Sequence, residues 1–252
     1  MNELSRPAIP LNGIPLSVTD LPQRLLILCR GDAARMVAWV EERDSRWLLT
    51  CGIVITFGCA AFGGAVGWWR GPEQAAWTAL KFPLLIFLTC GCNALLNGLL
   101  AQLLGAGLSF RQTSLLIVMS FTIMSLVLAA LTPVALFVLA NAPPLASSGR
   151  GTGHSIVLLM DVLFIAYAGV IANRRLLHLL EYLCSAPGAA RRVFWSWLGG
   201  NLFLGAQLSW ILRPFIGSPN LAVQFLRDDP FHGTFYGAVF RALQHLLTSH
   251  PL

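Results

Sequence analysis

From Leu115 to Ala140 the chain reads LLIVMSFTIMSLVLAALTPVALFVLA, without one charged side chain. Nothing else in the sequence restricts the fold as strongly. A helix of that character belongs either in the middle of a large soluble core or in lipid, and the rest of the chain decides between them. Four more segments share the character: Trp47 to Trp69, Phe82 to Leu104, Ser155 to Ala172 and Val193 to Leu212. Only 11% of the 252 residues are charged and 56% are hydrophobic, where an ordinary soluble domain is roughly a quarter charged. Too few polar residues remain to cover a core of five such helices. A hydrocarbon layer about 30 Å thick takes about 20 helical residues, because lipid offers no partner to an unpaired backbone group. The fold class that follows is all-α. It is a polytopic membrane helix bundle of about five transmembrane helices (47–69, 82–104, 115–140, 155–172 and 193–212), flanked by N- and C-terminal amphipathic interfacial helices. Pro133, near the end of the third, predicts a tilt or kink there.

The basic residues predict an orientation. Of the 17, eleven lie before the first span, at Arg111, and at Arg174, Arg175, Arg191 and Arg192. The other six are Arg70, Lys81, Arg150, Arg213, Arg227 and Arg241. The richer side is expected to be cytoplasmic, which puts the N-terminus inside and the C-terminus outside a cell inner (plasma) membrane. The stretch before Trp47 is not expected to act as a cleavable signal, since LLIL (Leu25 to Leu28) is too short an apolar run and is flanked by Arg24 and Arg30.

Outside the bundle, residues 1–18, with Pro7, Pro10 and Pro15, are expected to be a flexible tail. Residues 19–46 read as two short amphipathic helices, the first capped by Asp20 and the second by Asp32. Their apolar set of Leu25, Leu28, Met36, Val37, Trp39 and Val40 suits the cytoplasmic membrane interface. In 213–252 a turn is expected at IGSP, followed by an amphipathic helix opened by Asp229 and Pro230, with Phe231, Phe235, Val239, Leu243 and Leu246 at helical spacing.

Polar groups inside spans are costly unless paired, so they are the candidates for function. Asn93 and Asn97 are four residues apart on one face of the second span, with Thr89 before them. Asp161 is the one acidic residue within a predicted span. Lys81, at the start of the second span on the same side of the membrane, is expected to reach it, with Asn93 as a third member. Gln207 completes a candidate intramembrane network of Lys81, Asn93, Asn97, Asp161 and Gln207. Gly63 and Gly67 form a GxxxG pair suited to close helix packing, within the chain or between two copies. At the end of the fifth span, Trp210, Arg213 and Pro214 read as a membrane-exit anchor. The tryptophan lies at interface depth, the arginine reaches headgroups or the last helical carbonyls, and the proline stops the helix.

Enzyme signatures are weak. The chain has no HExxH, no GxSxG and no P-loop. GTGHS (Gly151 to Ser155) has a faint likeness to the histidine motif of membrane phosphatases, but lacks its companion blocks and reads as a loop. The six cysteines form no disulfide framework, and Cys90 and Cys92 point to different sides of a helix. No catalytic residue, cofactor or metal is expected. The net charge of +6 would suit nucleic acid, but the arginines flank apolar segments, so no nucleic-acid partner is expected.

The order of a cytosolic N-terminus, five closely spaced spans and an outward C-terminal end is similar to that of Yip1-type membrane proteins. More specifically, GWWRGPEQAAWTALKFPLLIFLTCGCNALLNGLL (Gly67 to Leu100), SFRQ (Ser109 to Gln112), GNLFLGAQLSWILRPFIGSP and FLRDDPFHGTFYGAVF resemble a family of bacterial multi-span membrane proteins. The resemblance implies a fold and no activity. The function expected is that of a non-enzymatic integral membrane protein acting through contacts with the lipid bilayer, another membrane protein or a second copy of itself. The alternative is a small-solute channel or transporter subunit using the intramembrane polar residues.

Overall fold

The computed structural model describes residues 21–41, 46–184 and 188–249. Among these there are helices and no strand: α1 (Leu21–Arg30), α2 (Ala33–Glu41), α3 (Arg46–Trp68), α4 (Pro72–Leu103), α5 (Phe110–Asn141), α6 (Arg150–Leu183), α7 (Ala189–Ile211) and α8 (Phe235–Ser249). The expected tail over 1–18, the Asp20 cap and the segment just before α3 lie outside the described residues. Four helices are long and apolar enough to cross a membrane: Trp47–Trp68, Pro72–Leu103, Phe110–Asn141 and Arg150–Leu183. That is the build of a multi-pass membrane protein. The fifth expected span, α7, is not among the four, because Arg191, Arg192, Asn201, Gln207 and three glycines dilute its 23 residues.

The long helices outrun the expected spans at several ends, and each extension has a local cause. α4 starts ten residues early at Pro72, a residue suited to a helix's first turn, and its added turns carry Gln74, Thr78 and Lys81, all buried. α5 starts at Phe110 behind a capping box, in which Ser109 accepts from the Gln112 backbone at 3.2 Å while the Gln112 side chain accepts from the Ser109 N–H at 2.9 Å. α6 continues to Leu183, burying Leu176, Leu179 and Leu180. It also begins early, at Arg150, so GTGHS is helical rather than a loop. There Gly153 lets the helix pass the backbone of Pro143, whose carbonyl also accepts from the Trp69 indole at 3.2 Å. α4 and α5 continue without a break through Pro83 and Pro133.

α3 is the inner helix, packed on α4 and α5. Its glycines set both approaches. A side chain at Gly58 would collide with the Ser125 backbone of α5, and one at Gly63 or Gly67 with the backbone of α4 at Thr78 or Gln74. The GxxxG pair therefore acts within the chain. α7 packs on α4 and on α6, and α6 packs on α5. α7 is antiparallel to α4, since Gly200 faces Asn93 and Asn97 while Pro214, just past the helix end, faces Gln74 near the start of α4.

The two ends of the bundle differ. At one, α1 and α2 pack on α5 and α6, tied by Arg111 to the Val40 carbonyl at 3.1 Å and by Arg175 to that of Gly31 at 3.5 Å. Leu28, Met36, Trp39 and Val40 are buried there, and Trp39 lies 4.1 Å from Trp47. Most of the apolar set expected to sit in lipid is thus spent on protein, where each fully buried side chain contributes about 1.5–3 kcal/mol. The opposite end carries the α3–α4 turn, the α5–α6 loop and the long segment after α7. α8 rests on the outside of α6 and α7, with His245 beside Gly151 and the Tyr236 hydroxyl donating to the Leu202 carbonyl at 3.4 Å.

Candidate functional site on α4 and the loop after α7

The added turns of α4 explain the loop after α7. Gln74, Thr78 and Lys81 fall at i, i+4 and i+7, one stripe of the helix, and all three are fully buried. Their partners are peptide carbonyls of a segment about 140 residues later in the chain. The Gln74 amide donates to Pro214 O at 3.0 Å, Phe215 O at 2.9 Å and the Thr78 hydroxyl at 3.1 Å, two hydrogens shared among three acceptors. The Thr78 hydroxyl proton lies between the Gln74 and Phe215 carbonyls. Lys81 Nζ donates to Pro214 O at 2.8 Å. Its ammonium stands 4.9 Å from the centre of the Phe225 ring and 5.9 Å from that of Phe215, so carbonyl dipoles and aromatic faces offset a charge removed from water. Phe215 in turn packs edge-on against Phe82, and Phe225 against Trp77, both at 5.2 Å.

Arg213 fastens the next stretch. One guanidinium nitrogen donates to Trp210 O at 3.0 Å and Pro230 O at 2.7 Å; the other donates to Asp229 O at 2.6 Å and His232 O at 3.1 Å and lies 3.6 Å from the Asp229 carboxylate. The guanidinium also stacks on the Trp210 ring at 4.1 Å, and the indole N–H donates to His232 O at 2.9 Å. The expected contact with the last carbonyls of the helix is made, but most of the cation is spent on residues 229–232. That corrects the expected helix start at Asp229 and Pro230. The carbonyls that would accept the first helical bonds are held by Arg213 and Trp210, and α8 begins only at Phe235, where the Thr234 hydroxyl accepts from the Gly237 N–H at 3.2 Å. Further out, Arg70 donates to Leu221 O at 3.1 Å, and Arg227 to Ala222 O at 3.3 Å and to the Gln224 side chain at 3.0 Å. Burial first, then the neighbouring Arg213, holds the Arg227 guanidinium below its ordinary range, against the opposing pull of Asp229 and Asp228.

The expected network of five polar residues does not assemble. Lys81 and Asp161 form no pair: the lysine meets Pro214, and the buried Oδ1 of Asp161 has no partner among the described residues. The cause is helix order, since α4 packs on α3, α5 and α7 while Asp161 sits on α6, about 16 Å along the helix from its start. Gln207 faces outward on the exposed stripe of α7 and joins no other member of the expected network among the described residues. Asn93 and Asn97 do meet, with Asn97 Nδ2 3.5 Å from Asn93 Oδ1. Both are fully buried against Gly200, and Asn93 Nδ2 and Asn97 Oδ1 are left without partners.

Sequence reasoning missed Gln74, Thr78, Phe215 and Phe225. The signal for the first two was present: a polar stripe ending in a lysine, laid over the turns that lead into an apolar run. Among the described residues no group of histidine, cysteine, aspartate and glutamate side chains is placed to hold a metal. Comparison with family models, curated proteins and solved structures finds no match to this chain.

Proposed function

We propose that this chain is a non-enzymatic, five-span inner-membrane protein of Yip1-like topology, with its N-terminus cytoplasmic, whose cap over residues 212–249 is a contact surface for another membrane protein. The observation that carries the reading is the build of the cap. It is held from below by Gln74, Thr78, Lys81 and Arg213, yet it turns apolar side chains outward: Leu221 is 53% exposed and Phe231 82%. A loop fixed by that many bonds presents those side chains at little ordering cost, which favours recognition. The antiparallel course of α7 along α4 supports its counting as the fifth span. Photo-crosslinking in native membranes tests the proposal. A benzophenone side chain in place of Phe231 is expected to join one discrete polypeptide, whereas one in place of the exposed Leu95 on α4 joins lipid. Lipid adducts alone at Phe231, Leu221 and Leu226 would remove the proposal.

A second reading, a small-solute channel or transporter subunit, draws on Asn93 and Asn97, of which the unpartnered Asn97 Oδ1 faces Gly200 across the α4–α7 contact. It requires that Asn97→Leu abolish solute flux through liposomes holding the protein while leaving the fold intact.

A further inference from the structure

We propose that Arg70, Lys81, Arg213 and Arg227, gathered around the loop after α7, form a binding site for a phosphate-class anion. The four cations come from two distant parts of the chain, and nearly all of their hydrogen bonds go to neutral acceptors of one segment: Leu221 O, Pro214 O, the carbonyls of residues 210 and 229–232, and Ala222 O with the Gln224 amide. Among the described residues a single carboxylate, that of Asp229, lies in ion-pair range, and it serves Arg213. Asp228, next to Arg227, and Glu73, three residues after Arg70, are exposed. Arg70 and Arg227 hold the carbonyls of neighbouring residues, Leu221 and Ala222, and Lys81 Nζ stands 4.9 Å from the ring of Phe225, two residues before Arg227.

Four cations with one carboxylate in ion-pair range among the described residues, at the end of an apolar bundle, repel one another more strongly than they would in water. An anion seated among them offsets that repulsion. The types of residue point to its class. The terminal N–H groups of Arg213 are taken by four carbonyls, so the donors left for an anion are those of the part-exposed Arg70 and Arg227, whose guanidinium forks match phosphate oxygens in pairs. Donors also remain to be used, since Arg70 Nε is buried without a partner. Both a lipid headgroup and a free phosphate offer this chemistry. The site does not rest on what the cap touches: the contact reading stands on Leu221, Leu226 and Phe231, and neither fails with the other.

The test is thermal unfolding of the full chain in neutral detergent, titrated with short-chain phosphatidylglycerol, short-chain phosphatidylcholine, or inorganic phosphate at constant ionic strength. Phosphatidylglycerol is expected to raise the midpoint saturably where phosphatidylcholine does not. Arg227→Gln is expected to raise the half-saturating concentration about tenfold, the effect of losing one strong charge contact. Arg70→Gln provides an independent second variant. Arg150→Gln, at the same end of the bundle and exposed, is expected to leave it unchanged. A rise with inorganic phosphate that also depends on Arg227 assigns the site to free anions, and a rise with phosphatidylglycerol alone assigns it to headgroups. Equal midpoints in all three titrations, or equal weakening in Arg227→Gln and Arg150→Gln, would overturn the proposal.

Discussion

Lys81 shows how much one residue depends on what meets it. As the first charged side chain upstream of a long apolar run, it invites pairing with the lone intramembrane carboxylate, yet it ends under a peptide carbonyl and two phenylalanine rings. Because it and Asp161 do not touch, their energies are independent. Lys81→Met is expected to cost about 1–3 kcal/mol through the loss of a buried charge-assisted bond. Combined with Asp161→Asn, the two changes should add to within about 0.5 kcal/mol, measured as unfolding free energies in mixed detergent. A larger coupling would mean that the two side chains share a contact. Asp161 itself was legible as a buried carboxylate. What it would meet was not, because spacing along α6 says nothing about which helix lies opposite.

Close approach decides the packing at the level of elements. α3 carries its glycines on two faces, one against α5 and one against α4, and at Gly67 an added side chain would meet Gln74 O, the Ala75 backbone and the Thr78 hydroxyl. That contact bears directly on the site, because it sets the position of the Gln74–Thr78–Lys81 stripe. Gly67→Leu is therefore expected to destabilise the protein by about 1–3 kcal/mol and to loosen the loop after α7, seen as faster hydrogen exchange across residues 212–222. Gly91→Leu, where a side chain meets open space on the outside of α4, serves as the comparison and is expected to change neither. Equal effects at the two positions would show that Gly67 is not a contact point. The GxxxG pattern was readable in advance, but its partner was not, since the same pattern serves packing within a chain and between chains.

At the scale of the whole molecule, the course of α7 sets the number of membrane crossings proposed, and labelling from the two faces checks it. Its antiparallel course along α4 brings the loop at 142–149 and the loop after α7 to one end of the bundle, with the α4–α5 turn at the other. In a cysteine-free background, single cysteines at Ser147 and Ser218 are expected to react with a membrane-impermeant maleimide from the same face, and one at Gly105 from the opposite face. Labelling of Ser218 from the Gly105 face would leave four crossings. The membrane character and the helical class follow from the sequence alone, because the length and apolarity of a run are summed locally and lipid permits few backbone solutions. So does the stop after α7, where Arg213 and Pro214 end the helix as expected. Only the tertiary structure decided where that segment went next. It returns to α4 and is held by carbonyl bonds that no residue pattern specifies, because a backbone acceptor looks alike in every sequence and its partner is chosen by the order and rotation of the helices around it.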